Sequence, residues 1–244
     1  NGVPIMVAII NNNYLSGFRP GKILNFEMMV PVPIGASNLK YNLFVDPFDG
    51  NLPSDIQEYL SRFIDINGVQ GVIISTEPLS HFTYAKWALR MGLNILMDKP
   101  ITTRKNVVSD IKAARKIESD YVELLGDYQK LQDSKETVFI INAQRRFHPG
   151  FGVVSELLAE IAYKTNCPIT AIQSTHCDGQ WRLPNEIVTQ NYHPYNSGYG
   201  KASHSGYHIF DIVYQFYKTS KLVNKTADSM EIFSSFFQPK GFLY

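Results

Sequence analysis

Apolar and polar positions fall into blocks along this chain, and the period changes from block to block. Residues 4–10, PIMVAII, are a continuous apolar run of strand length, as expected of a strand covered on both faces. Residues 40–46, KYNLFVD, read as a second strand ending in an acid. Ser54, Asp55, Ile56 and Gln57 have capping-box spacing and open a helix with Ile56, Tyr59, Leu60, Phe63 and Ile64 on one face. Residues 71–103 then read strand, loop, helix, strand, loop. Val72, Ile73 and Ile74 form a β-branched run, Ser80 stands at a helix N-cap, and Phe82, Ala85, Ala88 and Leu89 share a face. Gly92 is placed to end that helix, and the apolar residues 94–97 lead into Asp98, Lys99 and Pro100. Between 106 and 132 apolar positions step by three or four, which predicts one long amphipathic helix, and 137–142 predicts another buried strand.

Strand and helix in alternation force parallel connections, so the first part of the chain is expected to be an α/β domain, doubly wound, over residues 1–143. In such a sheet ligands bind beyond the carboxyl ends of the strands. Thr76, His81, Asp98 and Lys99 should therefore face one side. Residues 11–22 should carry the phosphate-binding turn of a dinucleotide fold, but GxGxxG is absent and the glycines there are Gly17 and Gly21. Asn11 and Asn12 tolerate the left-handed region best after glycine, so they are candidates for part of that geometry, with a polar surface loop as the equal alternative. Asp46 sits where a carboxylate would bind ribose hydroxyls and favour NAD over its 2′-phosphorylated form; Asp-Pro also simply starts turns.

After Ala143 the texture changes. A helix is predicted over 151–163, a strand over 169–175, a helix over 210–216 and a strand over 229–237. Between them lies a long polar and aromatic stretch. Five of the six histidines fall between His148 and His208. Loops of this length are usually functional or disordered, and the aromatic content argues against disorder.

The totals narrow the partners. With 23 Lys+Arg against 22 Asp+Glu, the net charge of +1 gives no reason to expect nucleic acid or an anionic membrane. Apolar runs are far short of the roughly 20 residues that span a bilayer. Cys167 and Cys177 match no metal, redox or disulfide spacing, so a reducing cytoplasmic setting is the expectation. No signal peptide is expected, and an initial Asn suggests a trimmed start.

Three stretches carry a resemblance. STEPLSHFTYAKWALRMGLNILMDKP, Arg146-Phe147-x-Pro149, and Gly206-Tyr207-His208 with Asp211 stand in order over most of the chain. Together they resemble the Gfo/Idh/MocA oxidoreductases, the family of glucose-fructose oxidoreductase and inositol 2-dehydrogenase. The chain departs from the family pattern in lacking the glycine fingerprint, in having Asp98 for glutamate, and in having His204 for aspartate. The resemblance implies a Rossmann-like domain followed by an incomplete α+β domain, residues 144–244, with a mostly antiparallel sheet whose C-terminal part is expected to be missing. It implies NAD or NADP as cofactor, a small-molecule sugar or polyol substrate, and a homo-oligomer, dimer or tetramer. By the same resemblance Thr76, Glu77, Pro78, His81, Asp98 and Lys99 join Asn11, Asn12 and Asp46 at the cofactor. A non-catalytic ligand-sensing regulator and an NAD-dependent glycosidase are the alternatives on the same fold.

Oxidation of an alcohol by hydride transfer needs a base for the hydroxyl proton and a positive group beside the oxygen. Lys99 and His208 suit those tasks, with His204 altering which group carries the proton. His204 and His208 also have metal-ligand spacing, to which His176 and His193 could add, but the family pattern accounts for His208 with no metal. Asp178, Trp181, Arg182, His193 and Tyr195 are candidate substrate contacts, since sugars and polyols are held by charged hydrogen bonds and aromatic faces. Arg146 is a further one, or a structural ion-pair partner.

Overall fold

The structure, a computed structural model, describes residues 7–11, 39–44, 50–177 and 197–235. The chain divides into two compact units, Asn1–Asn142 and Ala143–Tyr244. Among the described residues no helix is long and apolar enough to cross a membrane.

The first unit is a five-stranded, wholly parallel sheet. Its strands are β1 (Val7–Asn11), β2 (Leu39–Phe44), β3 (Gly71–Ser75), β4 (Asn94–Met97) and β5 (Phe139–Ile141), in the order β2-β1-β3-β4-β5. Helices α1 (Ser54–Asn67), α2 (His81–Arg90) and α3 (Ile111–Gln132) make the crossovers from β2 to β3, β3 to β4 and β4 to β5. All three step the same way across the sheet, and right-handed crossovers then place them on one face. The Nε1 of Trp87 on α2 donates to Ser61 Oγ on α1 (3.2 Å), and Lys86 on α2 pairs with Glu123 on α3. The packed face shows the period of two. Val72 lies opposite Ile95 and Ile74 opposite Met97, and all four are buried with Leu60, Ile64, Ala85, Ala88, Leu89 and Leu124.

Local signals explain most helix ends. Gly68 takes a left-handed conformation (φ 59°), and Val69 N donates to Ile64 O (3.0 Å), closing α1. Gly92 (φ 63°) ends α2 as expected. Three boundary expectations need correction. Pro53, not Ser54, precedes α1, and no side chain caps it. Ser80 makes no capping bond either, because residues Pro78–Ser80 already turn as a 3-10 helix and Ser80 has helical dihedrals. The long helix begins at Ile111, five residues late: Asn106 is left-handed (φ 61°), and Asp110 caps α3 by accepting from Lys112 N (2.8 Å).

The second unit holds α4 (Pro149–Thr165) and α5 (Tyr207–Tyr217), with 3-10 turns at Gln144–Phe147 and Lys218–Val223. Helix α5 is entered through a wide π turn, Ala202–Gly206. The strands expected over 169–175 and 229–237 do not form among the described residues. The backbone runs irregularly at 169–175 and 229–235, without a ladder partner, and residues 236–237 lie outside the description. A strand needs a neighbour for its N–H and C=O groups, and the described part of this unit supplies none.

Candidate functional site

The direction of stepping along the sheet reverses between β1 and β3. The path goes from β1 outward to β2, then back across to β3 and on to β4 and β5. In an open parallel sheet that reversal marks the ligand crevice, beyond the carboxyl ends of the two strands. Those ends are level: Asn11 lies opposite Ser75, and Ile74 opposite Met97. The loops that follow β3 and β4, residues 76–80 and 98–103, rise from this edge. They carry five of the expected cofactor residues, Thr76, Glu77, Pro78, Asp98 and Lys99.

The loop after β3 is shaped by its own polar groups. Glu77 Oε2 accepts from Leu79 N (2.7 Å), and Thr76 Oγ1 donates to Glu77 O (3.0 Å). The loop after β4 begins with Asp98 N still on the ladder, donating to Ile74 O (2.9 Å). Its far side is tied to α3. Asp120 is fully buried, and its Oδ2 accepts from Thr102 Oγ1 (3.2 Å) and from Arg104 Nε (2.7 Å) and Nη2 (2.6 Å). The Arg104 guanidinium also lies over the Phe82 ring of α2, 5.4 Å from its centre. Sequence reasoning missed Thr102, Arg104 and Asp120. An acid in mid-helix reads as a solvated face, and nothing in the spacing marks its partner eighteen residues earlier.

His81, expected at the cofactor, is enclosed between the two loops. The side chain is 0 % exposed. Its Nδ1 lies 2.6 Å from Pro100 O and its Nε2 3.3 Å from Thr76 O. The ring thus fastens the two loops to each other. Burial pushes its pKa below the ordinary histidine value, against the opposing pull of the Pro100 bond and the Asp98 charge.

In the second unit, Arg146 is an ion-pair partner. Its Nε donates to Asp211 Oδ2 (2.9 Å) and a second guanidinium nitrogen contacts Oδ1, tying the 3-10 turn before α4 to α5. The hydrogen bond to Asp211 raises the arginine's pKa further. Tyr207, one turn before Asp211, is pushed up by burial and then by the Asp211 charge. His208 is buried, with the Tyr207 ring edge-on at 5.9 Å. His204 lies within the π turn and is half-buried. Gly206 closes that turn: a Cβ there would meet Lys201 O at 3.1 Å, tighter than an ordinary contact. That glycine was the one sequence signal for it. His176 is lowered by burial and by the charges of Arg145 and Lys201. Among the described residues no three potential metal ligands converge.

Only the backbone of Asn11 is described. Asn12, Asp46, Asp178, Trp181, Arg182, His193 and Tyr195 lie outside the described residues.

The first unit is therefore a parallel α/β sheet whose strand order reverses between β1 and β3. No protein-family model matches the chain, and no curated protein matches it. Among solved structures it is similar to proteins described as dehydrogenases, oxidoreductases or NAD-binding proteins. One is the WlbA (WbpB) dehydrogenase from Thermus thermophilus in complex with NAD and UDP-GlcNAcA, at 16 % identity and TM-score 0.49, covering 87 % of this chain and 63 % of that one. An aldose-aldose oxidoreductase from Caulobacter crescentus complexed with glycerol matches at 14 % identity and TM-score 0.49, over 88 % and 58 %. An NAD-binding protein from Listeria innocua matches at 15 % and 0.46, over 86 % and 54 %. The chain thus spans 54–63 % of the length of these structures, and at such identities the likeness gives no residue a role.

Proposed function

We propose that the chain is an NAD(P)-dependent oxidoreductase that transfers a hydride between a nicotinamide cofactor and a sugar, inositol or related hydroxy compound. The observation that carries this reading is the position of the Asp98-Lys99-Pro100 segment. It leaves β4 at the sheet edge beside the β1/β3 reversal, where a doubly wound sheet binds its ligand.

The residues at that edge fit a dinucleotide in part. The loop after β3 is polar and held in shape by Glu77, and Thr76 and Lys99 stand on the two loops that would flank the cofactor. A bound nicotinamide would supply the hydride acceptor for the carbinol carbon, and the hydroxyl proton would leave to a base. The Lys99 ammonium would hydrogen-bond the reacting oxygen and hold it for that transfer, since a desolvated lysine beside a developing alkoxide stabilises its charge. His208 would exchange the hydroxyl proton, and His204, where the resembled family has an aspartate, would tune that exchange. Asn11, Asn12 and Asp46 are proposed for the pyrophosphate and ribose, and Asp178, Trp181, Arg182, His193 and Tyr195 for the substrate. Arg146 is proposed first as the clamp on Asp211, with its remaining donors available to substrate. The boundary between a cofactor domain and a substrate and oligomerisation domain is proposed near Ala143, and the second is proposed to carry the mostly antiparallel sheet. A cytoplasmic homo-oligomer is the assembly this reading expects.

One observation favours a second reading, a ligand-sensing regulator without turnover: no glycine fingerprint follows β1. A panel of polyols and sugars tested for reduction of NAD and NADP separates the two. Turnover with at least one compound, lost by about a hundredfold or more in Lys99→Ala, is expected of the enzyme. Cofactor binding without turnover on any compound supports the sensor instead.

A further inference from the structure

We propose that His81 is a positioning residue: by holding the Pro100 carbonyl it fixes where Lys99 stands at the end of β4 and ties that loop to the one after β3. Its meaning for catalysis rests on the oxidoreductase reading above. The placement of Lys99 does not.

The geometry is unusual for a histidine. Both ring nitrogens face backbone carbonyls, Pro100 O at 2.6 Å and Thr76 O at 3.3 Å, and the ring is 0 % exposed. A carbonyl only accepts, and a neutral imidazole has one N–H to give. The shorter contact takes it, so Nδ1 carries the proton and donates to Pro100, the residue next to Lys99. Nε2 is then left with its lone pair toward Thr76 O. The Pro100 bond is therefore the one that holds, and the contact to Thr76 is the compliant one. Among the described residues the charged groups that bear on the ring are Asp98 and Lys99, both on the loop it fastens.

Two further ties show why this bond matters. Beyond Pro100 the loop is anchored to buried Asp120 through Thr102 and Arg104. Before it, Asp98 N is anchored to the ladder at Ile74 O. Lys99 lies between these anchors, and its neighbour's carbonyl is gripped by His81. Removing the imidazole takes from that buried carbonyl the donor it has among the described residues and leaves Lys99 on the segment that must rearrange to satisfy it.

The test uses the whole chain without cofactor. Lysines are labelled with trace acetic anhydride across a pH series, and the reactivity of Lys99 is read by peptide mass spectrometry relative to exposed Lys116 on α3. His81→Leu removes the donor. His81→Asn keeps an amide donor near the Nδ1 position. The expected result is a change of about fivefold in relative Lys99 reactivity in His81→Leu, the factor that one net hydrogen bond represents, with His81→Asn restored to within about twofold of the parent. Where His81→Leu does not fold, His81→Gln replaces it, since its longer amide moves the donor toward Thr76 and should likewise alter Lys99. Equal Lys99 reactivity in the parent and in the folded variant lacking the Pro100 donor overturns the proposal, as does failure of His81→Asn to restore it. A separate NADH titration decides the oxidoreductase reading, so a chain that binds no NADH contradicts that reading alone and leaves the labelling result to judge His81.

Discussion

The two units are held together by different means. In the first, a parallel ladder carries a continuous apolar core in which Leu60, Ile74, Met97 and Leu124 are wholly buried. In the second, few large apolar side chains are buried among the described residues, while Val153, Leu157 and Ile161 of α4 and Met230, Ile232 and Phe233 further on are exposed. Its elements are tied by polar pairs, Arg146 on Asp211 and Lys225 on Asn166 O, and by the Phe151 ring of α4 against Phe216 of α5, 6.1 Å between centres. The parallel sheet completes itself between Val7 and Ile141, and its core follows. A set of helices and extended stretches that lacks its ladder is left to side-chain pairs, which contribute less and depend more on geometry.

The largest effect expected from this difference is in the core. Met97→Ala should destabilise the first unit by about 2–5 kcal/mol, whereas Ile161→Ala on α4 should change stability by no more than about 0.5 kcal/mol. Hydrogen exchange resolved by peptide measures both in one experiment. Equal losses would erase the contrast. Next is the clamp. Arg146→Met should cost the second unit about 1–2 kcal/mol, between the exposed and buried extremes for an ion pair, because the Asp211 side chain is 9 % exposed and that of Arg146 about one-third. It should also speed exchange along α5 while leaving β3 and β4 unchanged.

The smallest effect is set by pH. Burial holds His81 below its ordinary value, so the unfolded chain takes up a proton that the folded chain refuses. The stability of the first unit is then fully present above about pH 6.5 and falls as pH drops toward the lower folded value, by at most about 1.4 kcal/mol per pH unit. His81→Asn does not titrate there and should flatten the profile, as urea unfolding between pH 5 and 8 will show. A parent protein with a flat profile over that range would contradict the burial of a neutral His81.

How much of this was legible in the sequence follows the same division. β3, β4 and α2 could be read because β-branched runs and a three-to-four period report directly on which face is buried. Gly92 could be read because its conformation demands glycine. The start of α3 could not, because Asn106 and Asp110 satisfy helical periodicity while taking non-helical dihedrals. His81 is expected at the ligand from its place beside a strand end and from the family resemblance; its burial involves Pro100, nineteen positions away, which no local pattern reports. Asp120 was invisible for the same reason. The strands expected over 169–175 and 229–237 had the right composition, but pairing is a property of two segments and composition describes one. Lys99 could be read to a strand end because the apolar run 94–97 stops just before it, whereas the strand order and its reversal between β1 and β3 come from the structure.

The central claim, that this strand-end edge receives a nicotinamide dinucleotide, is tested most directly by titrating the chain with NADH and following nicotinamide fluorescence. The account predicts saturable binding with altered emission, weakened by substitution of Thr76 or Lys99. No change in emission up to millimolar NADH, in a folded sample, would contradict it.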